Sequence, residues 1–388
     1  LIEIISCILS NEDHVRQVIL QEGAVTRNPL ANTAYEERRK PRSGDPRGPY
    51  FRDQTAIIHS YAFRRLKHKA QVIFATRNDH VCTRVEHVLH VATIAATICK
   101  GLNETGRWDL NPDIAYAIGL GHDLGHAPFG HAGEEVIAKY CPGFIHEEHG
   151  YRVVERLGQK GGGSLNLTYA VRDGIRCHNG ERYERSLKPS ATLNNLDTLQ
   201  GRSAVPATYE GCIVRFSDKI AYLGRDVEDA ITLKLISASD VPIPVAAVLG
   251  NSNSQIIDVL VRDVVEASQD TDAVQLSEEK FAAVKNLYDF NIKNIYNHER
   301  LARSKEYVKY VVGSLFDYFL SLFRTHGFNF EDYASRSLAI NNAFGHSLET
   351  LAAFYKEEGA TGERIVADYV AGMTDSYALD QAKQIMLV

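Results

Sequence analysis

No two of the six cysteines, at positions 7, 82, 99, 141, 177 and 212, form a C-x-x-C pair. They are spread too evenly for a zinc ribbon, and the expected state is reduced, mostly buried thiols in a cytosolic setting. An excess of positive charge is also missing. With 43 Lys and Arg against 49 Asp and Glu, the net charge is −6 with His neutral. That balance argues against a general binder of nucleic acid or anionic membrane. An anionic ligand would need a local basic pocket. Arg64, Arg65, Lys67 and Lys69 offer one, and the run Arg38, Arg39, Lys40 and Arg42 reads more simply as a solvated face. Long apolar runs are absent too. Residues 1–9 are apolar but are interrupted by Glu3 and have no basic segment before them, so neither a membrane span nor a signal peptide is expected. The glycine-rich stretch GQKGGGS at 158–164 reads as a flexible loop, since it lacks the G-x-x-x-x-G-K-[ST] spacing that cradles phosphates. No repeat of solenoid period occurs.

The chain does have enough apolar sequence for a core. Hydrophobic residues make up 44% of its 388 positions and charged residues 24%, so it can fold without disulfides. Residues 1–27 fit short helices, and 28–49, rich in Arg, Pro and Gly, read as a loop or mobile arm. From Phe51 onward the apolar spacing is helical. Helices are expected over 54–69, 84–99 and 113–125, the last with Pro112 in its first turn, and then over 209–235, 256–268, 278–299, 303–325 and 361–385. Strand signals are weak, 241–248 being the best. The expected fold class is all-α (mainly α). The expected divisions are an N-terminal part with the polar arm over 1–50, a core over 51–235, and a C-terminal helical region over 236–388 packed on that core.

The most informative stretch is GLGHDLGHAPFGHAGE, residues 119–134. Adjacent His122 and Asp123 can face one cavity near a helix end. A neutral imidazole and a carboxylate suit a borderline or hard divalent ion. Two neighbours cannot close a coordination shell, so further ligands must come from elsewhere. His87 in TRVEHVLHVA and Asp218 in IVRFSDKIAYLGRDVEDA sit on helical patterns that can each project one side chain inward.

An H…HD…D set of this kind is the signature of the HD phosphohydrolase superfamily. The surrounding words resemble its dGTPase-like branch, the deoxynucleoside triphosphate triphosphohydrolases. PYFRDQTAIIHSYAFRRLKHKAQV, TRVEHVLHVATIA, GLGHDLGHAPFGHAGE, HEEHGYRVVERL and EGCIVRFSDKIAYLGRDVEDA match in the family's order over roughly residues 49–235. The resemblance implies an HD-domain helical fold with additional C-terminal helices and one divalent metal ion, Mn²⁺, Mg²⁺ or another transition metal such as Fe, Co, Ni or Zn. It implies His87, His122, Asp123 and Asp218 as metal ligands, and His131 with Glu134 as the catalytic pair, joined by His126 and by His146. It further implies Arg84 and Lys219 as phosphate contacts, Gln71, Tyr222 and Asp226 as the deoxyribose site, and Lys293 at the distal phosphates.

The sequence departs from the family pattern in places. His146-Glu147-Glu148-His149-Gly150 stands where H-N-x-x-S is common, Glu86-His87-Val88 where T-H-S is common, and Lys69-Ala70-Gln71 where Lys-Thr-Gln is common. These departures leave base preference and the tuning around the ligands open. Residue chemistry alone leaves other readings open as well. His59, His68 and His90 read as ordinary surface or core residues, and Tyr222 as a core aromatic. Glu134 reads as a favourable charge at a helix N-terminus. His178 either lines the site or caps a turn.

The expected function is metal-dependent hydrolysis of dGTP or several dNTPs to deoxynucleoside and triphosphate, by water attack at the α-phosphorus. The family implies a cytoplasmic homo-oligomer, in some members regulated by an activating nucleotide. Two rivals remain. One is an HD enzyme for a nucleoside monophosphate, cyclic nucleotide or alarmone. The other is a nucleotide- or single-stranded nucleic-acid-binding regulator that uses the basic arm at 38–47 weakly on phosphates.

Overall fold

The structure, a computed structural model, describes residues 25–72, 78–159, 162–179, 183–334 and 338–386. The short helices expected before residue 25, and Cys7, lie outside the described residues. The remaining five cysteines are free and buried, as expected from their even spread without C-x-x-C pairs.

The fold is mainly α, as expected. Its longer helices are α1 (Pro49–Ile58), α2 (Arg84–Glu104), α3 (Pro112–Gly121), α4 (His131–Tyr140), α5 (His146–Arg156), α6 (Tyr169–Cys177) and α7 (Tyr209–Thr232). They continue with α8 (Asn253–Ser268), α9 (Glu278–Asn291), α10 (Glu299–His326), α11 (Ala339–Glu358), α12 (Gly362–Ala371) and α13 (Asp375–Met386). Strands β1 (Ser186–Leu187) and β2 (Val274–Gln275) pair antiparallel, with Leu187 opposite Val274. No helix among the described residues is long and apolar enough to cross a membrane.

Several expected elements differ in detail, each for a local reason. The helix expected over 54–69 breaks at His59, because Ser60 caps a new turn, Tyr61–Arg65, by accepting the Phe63 N–H at 3.1 Å. A 3₁₀ turn, Leu66–His68, follows. The best strand signal, 241–248, is instead a helix, Ile243–Leu249. Pro242 pre-sets the backbone at its start and Gly250, at φ +96°, ends it. The helix expected over 361–385 is two, α12 and α13, separated at residues 372–374.

The arm at 28–49 is not a solvated tether. Arg38 donates from Nη1 to the buried Asp53 carboxylate at 2.6 Å and to the Asn166 carbonyl at 2.5 Å. Arg39 pairs with Glu155 and Asp197. Tyr35, also buried, donates to the Ala207 carbonyl at 3.0 Å. This part of the charge run therefore fastens the arm to the body.

Two apolar cores support the site. The first is filled by side chains such as Ile57, Ala92, Ile118, Val214 and Leu260, from α1, α2, α3, α7 and α8. The second joins Val136 and Ile137 of α4 to Val312, Phe316 and Phe319 of α10, Phe344 of α11 and Val366 of α12. Helix α4, which begins at His131, is thus held by the C-terminal helices.

Candidate functional site

Helix α3 starts cleanly because Asn111 caps it, accepting the Asp113 N–H at 3.0 Å, and Pro112 needs no donor there. Small residues let α3 press on α2. A Cβ on Gly119 would lie 2.5 Å from the Ala92 Cα. The chain then tightens into a 3₁₀ turn, His122–Gly125, which presents His122 and Asp123 together.

From α2 comes His87 and from α7 comes Asp218. His87 Nε2 lies 2.9 Å from Asp218 Oδ1 and 3.8 Å from Asp123 Oδ2. His122 Nε2 lies 3.4 Å from Asp123 Oδ1 and 3.8 Å from Asp218 Oδ1. Ligands about 2.1 Å from one ion stand roughly 3–4 Å apart, so the spacing suits a single divalent cation. His122 Nδ1 donates to the Gly119 carbonyl at 2.7 Å, which leaves the lone pair on Nε2. That Nε2 is buried without a hydrogen-bond partner, as a metal-facing nitrogen would be. Burial alone would raise the Asp123 carboxyl, but His122, Arg84 and His126 hold it well below the usual range. Asp218 is held low against burial by the hydrogen bond from His87 and by His122. Two ionised carboxylates and two imidazoles fit a metal.

A second group adjoins the first through His126, whose Nε2 lies 3.1 Å from Asp123 Oδ1 and whose ring stacks on His146 at 3.9 Å. Glu134 Oε2 lies 3.2 Å from His131 Nδ1 and 2.9 Å from His146 Nδ1. Burial would raise Glu134, but the His146 ring and the hydrogen bonds from both histidines hold it far down. Burial would lower His146, yet Glu147 and Glu134 raise it to about 9, so this imidazole is a cation at neutral pH. His126 goes the other way: burial, then Arg84 and His146, keep it neutral.

The remaining expected residues divide. Gln71, Arg84, Tyr222 and Asp226 line the same cavity of about 520 Å³ as His87, Asp123, His126, His131, His146 and Asp218. Arg84 donates to Asp123 Oδ2 at 2.5 Å and to the Gln71 carbonyl at 2.8 Å. Tyr222 shares a 2.5 Å hydrogen bond with the Tyr183 hydroxyl, and Asp226 accepts from the Tyr296 hydroxyl at 2.6 Å. Burial pushes the Asp226 carboxyl up to about 7.

Lys219 and Lys293 are not brought to this cavity. Lys219 turns into the body, with Nζ 5.2 Å from the Tyr183 ring centre, and burial pulls it down to about 8. Lys293 is exposed on a π-turn, Ile292–Tyr296.

The structure also resolves one residue left open and adds others that sequence reasoning passed over. His178 Nε2 lies 3.2 Å from His146 Nε2, so the histidine left open belongs to this cluster. Arg202 donates to Glu134 at 2.8 Å and to Glu147 at 2.7 Å. It sits in a loop with no motif around it, and nothing in its sequence context pointed there. The tyrosines Tyr183 and Tyr296 are separated from their partners by 39 and 70 positions, beyond the reach of local pattern.

Comparison with known proteins gives two family matches: the HD domain over residues 84–223 and a phosphohydrolase-associated domain over 274–384. Among curated relatives, a deoxyguanosinetriphosphate triphosphohydrolase-like protein of Caldanaerobacter subterraneus subsp. tengcongensis is 38% identical over 364 residues, 93% of this chain and 92% of that one. A protein of the same name from Clostridium tetani is 35% identical over 350 residues, 88% of this chain and 86% of the relative. Another, from Bartonella quintana, is 31% identical over 387 aligned positions, 87% of this chain and 89% of the relative.

Proposed function

The chain belongs to the HD-domain phosphohydrolases of the dGTPase-like family, and we propose that it hydrolyses deoxynucleoside triphosphates to deoxynucleoside and inorganic triphosphate. The observation that carries this reading is the meeting, in one cavity, of the His87, Asp123 and Asp218 group, the His126, His131 and His146 group, and the Tyr222 and Asp226 wall. A divalent ion held by His87, His122, Asp123 and Asp218 would supply Lewis acidity, neutralising charge at the phosphorus and acidifying water.

The chain's own residues supply the rest. Arg84 holds Asp123 in place and braces the Gln71 backbone. His131, oriented by its Nδ1 contact with Glu134, is the general acid for the departing 5′ oxygen. Glu147 and Glu134, the latter held by Arg202, keep the neighbouring His146 ring positively charged, which places positive charge beside the reacting phosphate. In the overall reaction water gives hydroxyl to the α-phosphorus and a proton to the 5′ oxygen. The bond between them breaks and the triphosphate leaves whole.

Deoxyribose selection rests on rigidity. Tyr183 holds Tyr222, and Tyr296 holds Asp226, so the wall cannot retreat from a 2′-hydroxyl. The substrate is dGTP or several dNTPs. Family resemblance, rather than any feature of the single chain, supports a cytoplasmic homo-oligomer and an activating nucleotide.

The test is incubation with Mn²⁺ or Mg²⁺ and each dNTP, singly and mixed, beside Asp123→Ala, with products separated by anion exchange. Deoxynucleoside with intact triphosphate, lost in the variant, supports the reading. Pyrophosphate or single phosphate would overturn attack at the α-phosphorus, and equal turnover of ribonucleotides would overturn the sugar site.

A further inference from the structure

A triphosphate carries about four negative charges at neutral pH and needs cations beyond those at its α-phosphate. The cavity's supply is small. Arg84 and Lys305 are the lysine and arginine side chains on its lining, and Arg84 is already engaged by Asp123. Lys219 and Lys293, the expected contacts, are not on the lining.

Lys305 arrives from α10. Leu301, Ser304, Lys305 and Val308 all line the cavity, and their spacing is that of one helix face. Leu301 and Val308 are buried and anchor that face, while Lys305 is half-buried between them. Other basic residues of α10 have acidic neighbours on the helix: Arg303 pairs with Glu299 and Lys309 with Glu306. Lys305 has none in the positions where a helix could supply one. Three and four residues away stand Leu301, Ala302, Val308 and Lys309. No ion pair of Lys305 occurs among the described residues, and the nearest carboxylate in sequence, Glu306, is taken by Lys309. A half-buried ammonium on a cavity lining, with no ion pair among the described residues, is a site prepared for an anion.

We propose that Lys305 binds the terminal phosphates of the substrate and the triphosphate product. The inference rests on the triphosphohydrolase reading. It gives the phosphohydrolase-associated region, from which α10 comes, a direct part in substrate binding.

The test compares the metal-loaded wild type with Lys305→Met, which keeps the stem and removes the charge, and Lys305→Arg, which restores it. Binding of inorganic tripolyphosphate and of deoxynucleoside is read by calorimetry, and KM and kcat by product release. A lost charge-assisted contact corresponds to a roughly 10- to 100-fold rise in tripolyphosphate Kd and in KM for Lys305→Met. The expected pattern also has a smaller change in kcat, unchanged deoxynucleoside binding and recovery in Lys305→Arg. Tripolyphosphate Kd unchanged in Lys305→Met, or no tripolyphosphate binding by the wild type, overturns the inference. Failure of the enzymatic reading is seen separately, as wild type that releases no triphosphate from any dNTP.

Discussion

Asp375, at the start of α13, accepts the backbone N–H of Phe129 at 2.8 Å through Oδ1 and that of Ala70 at 2.8 Å through Oδ2. One carboxylate from the end of the chain therefore ties down both the loop between His126 and His131 and the segment that leads into Gln71. Lys69 reinforces the link, donating from Nζ to the His126 and Ala371 carbonyls at 2.5 and 2.9 Å. Phe129, at φ +62°, holds an unfavourable backbone that needs such support. Asp375→Asn turns an amide N–H against one of the two backbone donors. The expected cost is about 1–3 kcal/mol of stability. A kcat loss of about tenfold or more, at a temperature where the variant is fully folded and metal-loaded, is expected as well. Thermal melts, metal content and steady-state kinetics check it. A melting shift with unchanged kcat would mean that the clasp is structural only.

The proposed metal ligands make a prediction that does not depend on turnover. A ligand bound to the folded state alone adds about 4 kcal/mol of stability at a thousandfold excess over its Kd. A chelator should therefore lower the wild-type melting temperature by several degrees. Asp123→Asn, which keeps an acceptor for Arg84 but loses the ligand charge, should melt at the same temperature with and without chelator. Metal analysis of both proteins after desalting completes the comparison. Equal metal content in the two would remove Asp123 from the ligand set.

Much of this centre was legible because His87, the His122–Asp123 pair and Asp218 lie in words with strong local character. What escaped was set by tertiary contact. Helix α5 carries His146, Glu147 and His149 on its buried face, so polar residues stand where the apolar stripe of a helix would be sought. The segment at 241–248 looked like a strand because Val and Ile cluster there, and Pro242 with Gly250 decided otherwise. Arg38 was read as solvated because nothing near it in sequence announces Asp53 as its partner. Lys293 and Lys305 are equally basic in sequence, but Lys293 lies exposed on the π-turn Ile292–Tyr296 while the pitch of α10 puts Lys305 on the cavity lining.

Asp226 gives a pH dependence whose sign is opposite to that of most carboxylates. Burial raises it to about 7 in the folded chain, above the value near 4 expected when unfolded. The protonated form then favours the folded state. That contribution is fully present below about pH 4 and is lost as pH rises through about 7. Replacement by Asn removes the ionisation. The stability of Asp226→Asn relative to wild type should therefore increase between pH 4 and pH 8, by up to about 4 kcal/mol before solvent relaxation reduces it. Denaturant melts of both proteins across that range test this. A constant difference would mean that Asp226 is ionised throughout, with the Tyr296 hydrogen bond holding it down.

The glycines of the central motif make the strictest prediction. A Cβ on Gly125 would lie 2.0 Å from the His146 carbonyl oxygen and 2.2 Å from the Gly150 nitrogen. Both are backbone atoms of α5, so no side chain can swing aside. The turn that presents His122 and Asp123 thus touches directly the helix that presents His146, and the separation of the two groups is set by this contact. Gly125→Ala must push α5 away. Overpacking of this kind costs about 1–3 kcal/mol, and more where only backbone can yield. The displacement also moves His146 relative to Glu134 and His126, so activity should fall by about 100-fold or more even where the variant stays folded. Gly44→Ala is the control, since nothing lies within 4 Å of its Cβ position, and it should behave as wild type. If Gly125→Ala retained full activity with a normal melting temperature, the close approach of the turn to α5 would be wrong, and the placement of His146 beside the metal group would be wrong with it.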